Sequence, residues 1–229
     1  ATGRGVSYVT LEALQHLKLD VSKATVAVQG FGNVGSNTAL IMQQAGARVV
    51  AVSDVGGGLY NPKGLDIADV LHRYRDKHEP LREIKLGESI SNEELLQLDC
   101  TVLVPAALSE QITHANASKL RCRILAEGAN GPTTLEADRI LTDKGVFIIP
   151  DILANSGGVI VSYFEWVQDV QRFFWKAKDI QDRLQDIITS AFHRTLQFSV
   201  EKRTTMRMAA LMSGIDKVAQ AHLQRGLYP

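Results

Sequence analysis

Short β-branched runs alternate with longer segments of helical spacing through the first two thirds of the chain. Over residues 4–18, Val6, Val9, Leu11, Leu14 and Leu17 predict a helix packed on a sheet. The run Val26-Ala27-Val28 stops at Gly30, a helical segment covers about 33–45, and Gly46 ends it. A second β-rich run, 49–53, leads to Asp54. Gly56-Gly57-Gly58 and Asn61-Pro62 read as a flexible turn region. An amphipathic helix is expected over about 64–77, then a polar stretch, 78–89, as loop or partly helix. Ser91-Asn92-Glu93-Glu94 fits a capping box opening a short helix through Leu98. Three more apolar runs, 101–104, 123–126 and 146–149, alternate with helical segments at about 115–120 and 134–143, the last stopped by Gly145.

Strands alternating with helices at this spacing predict an α/β fold, Rossmann-like, with a largely parallel, doubly wound sheet. From Ala154 onward the pattern changes to long helices. One begins near Asn155, with Val159, Val161, Phe164, Val167 and Val170 on its apolar side. Others span about 177–202 and 205–224. The expected division is a dinucleotide-binding domain over 1–202, long helices included, and a C-terminal helical segment, 203–229. The aromatic group Phe164, Trp166, Phe173, Phe174 and Trp175 reads as core or interface, and Met206, Met208 and Met212 as packing.

Candidate chemistry concentrates at the first strand's end. Gly30-Phe31-Gly32-Asn33-Val34-Gly35 is a G-x-G-x-x-G between a strand and a helix, with Asp54 twenty-four residues after Gly30. In that setting the pattern is a dinucleotide-binding fingerprint. Gly30 permits the tight turn, Gly32 lets a pyrophosphate approach the backbone, and Gly35 lets the helix pack close. Phosphates then meet unpaired N–H groups at a helix N-terminus. Asp54 would accept hydrogen bonds from an adenosine ribose; a solvated loop carboxylate is the alternative. Right-handed crossovers put the later post-strand loops, with Pro105-Ala106-Ala107, Asn130 and Asn155, on the same sheet edge. Each of these residues alone also fits a turn.

Composition narrows the function classes. The 229 residues are 45% hydrophobic and 22% charged, with 25 Lys+Arg against 25 Asp+Glu, a balance giving no sign of a nucleic-acid or anionic-membrane partner. No apolar stretch reaches the ~20 residues a bilayer span needs. Cys100 and Cys122 lack metal-ligand spacing and read as buried free thiols in a reducing compartment, the cytoplasm by default. The six histidines are scattered, which disfavours metal or hydrolytic chemistry. The chain opens Ala1-Thr2-Gly3 without an initiator methionine and reads as part of something longer.

Six segments together resemble the nucleotide-binding half of glutamate dehydrogenases. They are Ala1-Thr2-Gly3-Arg4-Gly5, the 30–35 glycine motif, Pro105-Ala106-Ala107, Glu127-Gly128-Ala129-Asn130-Gly131-Pro132, the stretch 149–159 (IPDILANSGGV), and the closing Arg225-Gly226-Leu227-Tyr228-Pro229. Leucine and phenylalanine dehydrogenases match the 155–159 region and the C-terminus less closely. The resemblance implies that Thr2 holds the nicotinamide carboxamide, and that Phe31, Asn33 and Val34 meet the pyrophosphate and adjoining ribose. It implies that Ala106 and Asn130 line the nicotinamide-ribose pocket and that Asn155 lies beside nicotinamide and substrate. Ser162 would help bind the glutamate side-chain carboxylate, with Val159 also near the substrate. Asn155 and Ser162, two helical turns apart, can face one cleft; for Ser162 a helix-surface serine is the alternative.

In that family the catalytic lysine, the proton-handling aspartate and most substrate contacts precede the Ala-Thr-Gly motif. The chain is therefore expected to bind cofactor without turning over glutamate alone, and no catalytic residue is assigned within it. Its expected partners are an N-terminal substrate domain of the same protein, against which 203–229 would pack, the amino-acid substrate, and further copies in a homo-oligomer, a hexamer by resemblance. Asp54, with no basic residue in Val55-Gly56-Gly57-Gly58, favours NAD, because a 2′-phosphate beside a carboxylate is repelled. NADP stays open, since family members with an aspartate here use it. The other readings are a non-catalytic nucleotide-binding or regulatory module and a domain of a leucine- or phenylalanine-type dehydrogenase.

Overall fold

A computed structural model describes residues 1–226; Leu227, Tyr228 and Pro229, part of the closing segment of the resemblance, lie outside the described residues. Seven strands form one sheet: β1 (Thr25–Gln29), β2 (Arg48–Asp54), β3 (Gly57–Tyr60), β4 (Glu88–Ile90), β5 (Val102–Pro105), β6 (Ile124–Ala126) and β7 (Phe147–Ile149). Their order is β4-β3-β2-β1-β5-β6-β7. The pairs β2–β1, β1–β5, β5–β6 and β6–β7 are parallel. The order reverses between β1 and β5, the crevice where open α/β sheets bind ligands.

Alternation along the strands makes two apolar layers. Val26, Val28, Val52, Val102 and Val104 face one side, with Val6, Val9, Leu14, Met42 and Phe192 packed on them. Ala27, Ala51, Leu103 and Leu125 face the other, under Leu95, Ile112, Leu120 and Leu141. Successive strand side chains point to opposite faces, so a strand buried on both sides must be apolar throughout. Truncating fully buried Leu103 to alanine would cost about 3 kcal/mol.

The helices of the first layer are α1 (Thr2–His16) and α2 (Asn33–Gln44). The expected helix at 64–77 is shorter than its periodicity. Asp66 caps α3 (Ile67–Leu71), accepting from the Ala68 and Asp69 N–H groups, and a π-helical turn, His72–Asp76, follows. Ser91 and Glu94 form the capping box of α4 (Asn92–Leu96). The short α5 (His114–Ala117) and α6 (Leu135–Asp143) complete the second layer. Beyond β7, one turn of helix, α7 (Asp151–Ala154), precedes α8 (Gly157–Gln171), so the helix expected from Asn155 starts later. Then α9 (Ala177–Lys202) ends at Arg203, whose φ of 49° is left-handed, and α10 (Met206–Arg225) folds back on it.

Two strands escape the hydrophobic pattern. β3 pairs antiparallel with β2, and β4 antiparallel with β3. The glycines read as flexible turn are half strand: Val55 and Gly56 make the turn, while Gly58 sits opposite Ser53. A Cβ on Gly58 would lie 2.6 Å from the Val52 carbonyl oxygen, so the close approach, rather than flexibility, requires glycine.

The apolar stripe on α8 also divides differently. Phe164 is buried, but Val159 and Val170 are exposed, as are Tyr163, Trp166, Phe173 and Phe174 nearby. On α10, Met206 and Ala209 reach the core whereas Met208, Leu211, Met212, Ile215 and Val218 face outward. Periodicity reports that a face is apolar, not that its cover lies within the same chain. Both cysteines are free and buried. Burial drives the Cys122 thiol up to about 12 and raises Cys100 further, helped by the neighbouring Cys122 charge.

Candidate functional site

The chain leaves β1 through Gly30, at φ +92°, whose N–H donates to the Ser53 carbonyl at 2.8 Å. A Cβ on Gly30 would sit 2.7 Å from the Ala106 oxygen, and one on Gly35 only 1.8 Å from the Gly30 oxygen. Both glycines are thus demanded by the fold itself. Gly32 is different: its φ is −72°, its N-cap position on α2 has no side-chain cap, and a Cβ there would meet nothing within 4 Å. Nothing in the packing of the chain asks for glycine at this position. The open space and the uncapped helix end suit a bound anion approaching the backbone.

Phe31 lies between these glycines but turns inward. Its side chain is fully buried and meets the Tyr74 ring edge-on, with centroids 5.4 Å apart. Only its backbone is placed to meet a ligand. Asn33 is exposed at the first position of α2, and Val34 is half-buried beside it.

Asp54 closes β2. Its Oδ1 accepts from the Gly56 N–H at 2.8 Å, and its carbonyl accepts from Asn92 Nδ2 at 2.8 Å. Asn92 also takes the Ser53 hydroxyl at 2.7 Å, so α4 fixes the end of β2. Tyr74 in the π-helical turn stands close by: burial first, then the Asp54 carboxylate, raise its phenol above the ordinary value. No periodicity at 64–77 points to this contact.

A cleft of about 830 Å³ opens beside these groups, over the crevice between β1 and the β5–β7 side of the sheet, in the size range of ligand pockets. Thr2, Val34, Ala106, Asn130, Asn155, Val159 and Ser162 all line it. Gly30, Phe31, Gly32, Asn33, Gly35 and Asp54 are not among its lining residues; Asp54 belongs to the β2 end of the edge. Ala107, Leu108, Ser109, Gly128, Ala129 and Gly158 complete the wall. No sequence pattern marks Leu108 and Ser109 as cleft residues, although they directly follow Pro105-Ala106-Ala107.

Backbone hydrogen bonds hold the rim. The Ala106 N–H donates to the Gln29 carbonyl at 2.7 Å, and the Gly128 and Ala129 N–H groups both donate to the Pro105 carbonyl at 3.0 Å. Asn155 Nδ2 donates to Asn130 Oδ1 at 2.7 Å. Thr2, at the start of α1, crowds Gly158: a Cβ there would lie 2.6 Å from the threonine hydroxyl. Among the described residues, no group of three or more His, Cys, Asp or Glu is arranged to hold a metal ion, and no helix is long and apolar enough to cross a membrane.

Comparison with known proteins agrees with this geometry. Residues 1–226 match the family model for glutamate/leucine/phenylalanine/valine dehydrogenases. The glutamate dehydrogenase of Thermotoga maritima is 49% identical over 100% of this chain and 55% of its own length. The cryptic catabolic NAD-specific glutamate dehydrogenase of Bacillus subtilis is 46% identical over 99% of this chain and 52% of its own. Among solved structures, the hetero-hexameric glutamate dehydrogenase of Thermus thermophilus superposes with a TM-score of 0.93 at 33% identity, covering 100% of this chain and 54% of that one. The chain spans about half the length of the curated relatives it matches.

Proposed function

Since the chain belongs to the glutamate/leucine/phenylalanine/valine dehydrogenase family, we propose that it is the NAD-binding half of a glutamate dehydrogenase. The whole protein then interconverts L-glutamate with 2-oxoglutarate and ammonia. The observation that carries this reading is one cleft, at the point where the strand order reverses, lined by Thr2, Ala106, Asn130, Asn155 and Ser162. The fit to a dinucleotide is good: an uncapped helix end with free space at Gly32 takes the pyrophosphate, and Asp54 takes the adenosine ribose.

In this reading the backbone of 31–34 binds phosphate, and Thr2 orients the carboxamide. Ala106 and Asn130 bound the nicotinamide ribose. Asn155 and Val159 confine the space beside the ring, and Ser162 meets the side-chain carboxylate of glutamate. Bound nicotinamide supplies the hydride acceptor for the glutamate Cα. Acid/base chemistry and most substrate contacts come from a further domain of the same polypeptide, N-terminal to Ala1, so the 229 residues alone bind cofactor without turnover. Residues 1–202 form the dinucleotide-binding domain. The outward apolar row on α10, within 203–229, packs toward that further domain, and the complete protein assembles as a cytoplasmic homo-hexamer.

NAD is preferred over NADP because the Asp54 carboxylate opposes a 2′-phosphate. The close relatives named NAD-specific support the same choice. Calorimetric titration of the chain with NAD and with NADP tests the proposal. Tighter NAD binding is expected; tighter NADP binding would overturn the cofactor choice, and binding of neither would overturn the site.

A further inference from the structure

The loops after β6 and β7 are held from beneath by a residue that belongs to neither. Arg207, in the first turn of α10, donates from Nη2 to Glu127 Oε1 at 2.6 Å and from Nη1 to Glu127 Oε2 at 3.0 Å. Its Nε donates to Asp138 Oδ1 at 2.8 Å, and Asp151 Oδ1 lies 3.6 Å from Nη1. The Glu127 side chain is fully buried and that of Arg207 is 14% exposed. Burial opposes the arginine charge, yet hydrogen bonds and charge from Glu127 and Asp138 outweigh it and hold the guanidinium above its ordinary pKa.

The bonding continues from these carboxylates to the cleft. The Asp151 N–H donates to Glu127 Oε2 at 2.9 Å, and the Gly131 N–H to Asp151 Oδ2 at 2.8 Å. Gly131 adjoins Asn130, which accepts from Asn155, the residue directly after the single turn of α7. One guanidinium thereby fixes the loop carrying Asn130 and the helix start leading to Asn155. A buried ion pair is a poor source of net stability, because desolvation offsets the attraction. What a planar guanidinium supplies is fixed direction, through two parallel bonds to one carboxylate and a third to another.

We propose that Arg207 is a positioning residue for the nicotinamide end of the cleft, acting through Glu127 and Asp151 on Asn130 and Asn155. The inference rests on the NAD-binding reading above. An Arg207→Lys variant keeps the charge but replaces the fork with a point donor, which cannot hold Glu127 and Asp138 in the same geometry.

The test titrates the 229-residue chain and Arg207→Lys with NAD and with ADP, which reaches only the adenosine and pyrophosphate end. Amide exchange at Gly131 and Asp151 is followed alongside Val26 and Val28. The expected result is NAD binding weakened about tenfold with ADP binding changed less than about twofold. Exchange should quicken at Gly131 and Asp151 only. Parallel loss of NAD and ADP, or no loss of either with exchange unchanged, overturns the role of Arg207. A wild-type chain that binds neither ligand overturns the NAD reading instead, and the exchange arm still decides whether Arg207 fixes the loops. Should Arg207→Lys not fold, the double variant Arg207→Met with Glu127→Gln, which leaves neither charge of that pair unmatched, is read by the same two arms.

Discussion

Asn155 donates its side-chain amide to Asn130 across 2.7 Å and reaches the Ala129 carbonyl at 3.4 Å. Two residues that share the cleft wall are thus bonded to each other. Replacing Asn155 by alanine should lower stability by about 1 kcal/mol, the usual net worth of a partly exposed hydrogen bond. NAD binding should fall several-fold while ADP binding holds. Urea unfolding and calorimetry read the two effects, and equal losses for NAD and ADP would remove Asn155 from the nicotinamide end.

The glycines of the 30–35 motif should separate cleanly under substitution. Gly35→Ala places a Cβ 1.8 Å from the Gly30 oxygen, so α2 must shift and stability should fall by about 3 kcal/mol. Gly32→Ala meets nothing and keeps an ordinary helical-entry φ, so the fold should hold within about 0.5 kcal/mol. Dinucleotide affinity should nonetheless drop steeply. If Gly32→Ala binds NAD as tightly as the parent chain, the pyrophosphate does not lie against this turn.

Asp54→Ser removes the charge that opposes a 2′-phosphate and leaves a hydroxyl near the ribose. The preference for NAD over NADP should shrink by about tenfold, chiefly through better NADP binding at low salt. Competition of the two cofactors against a common fluorescent nucleotide gives the ratio directly. An unchanged ratio would place cofactor choice elsewhere.

Burial of the two thiols predicts a pH dependence with a definite sign. Below the ordinary thiol value of 9.0 both are protonated whether the chain is folded or not, and they leave stability unaffected. Above it the unfolded chain ionises while folded Cys122 does not until about 12, and Cys100 later still. Stability should therefore fall between pH 9 and 12, by up to about 1.4 kcal/mol per pH unit for each thiol. Denaturant midpoints of the chain and of a Cys100→Ala, Cys122→Ala double variant, compared from pH 8 to 10.5, isolate the slope. Parallel curves would show that the thiols ionise in place.

The parallel strands, the Ser91–Glu94 capping box and the gathering of Ala106, Asn130 and Asn155 at one cleft are legible because each rests on a local pattern: a β-branched run, a cap spacing, a loop after a strand. Thr2 and Ser162, on helices α1 and α8, are reached only through the family resemblance. β3 is not legible, because Gly57 and Gly58 look the same in sequence whether they turn or pair at close quarters. Tyr74 beside Asp54, and Arg207 beneath Glu127, bring together residues 20 and 80 positions apart, and no periodicity carries such distances. Phe31 shows the limit of a motif read residue by residue: its position is in the phosphate turn, while its ring belongs to the core.

The contact between Thr25 and Thr101 spans 76 positions and stitches the first half of the sheet to the second. The cleft lies at the other, C-terminal end of the same β1–β5 seam, with Val34 on one bank and Ala106 on the other. The half of the chain from β5 onward supplies most of this wall, and Thr2 and Val34 from the half before it complete it. Contacts so distant in sequence are slow to form, since loop closure must precede their reward. Recovery of NAD binding during refolding therefore marks the joining of the two halves, and it should lag the recovery of helix signal by the time that joining takes.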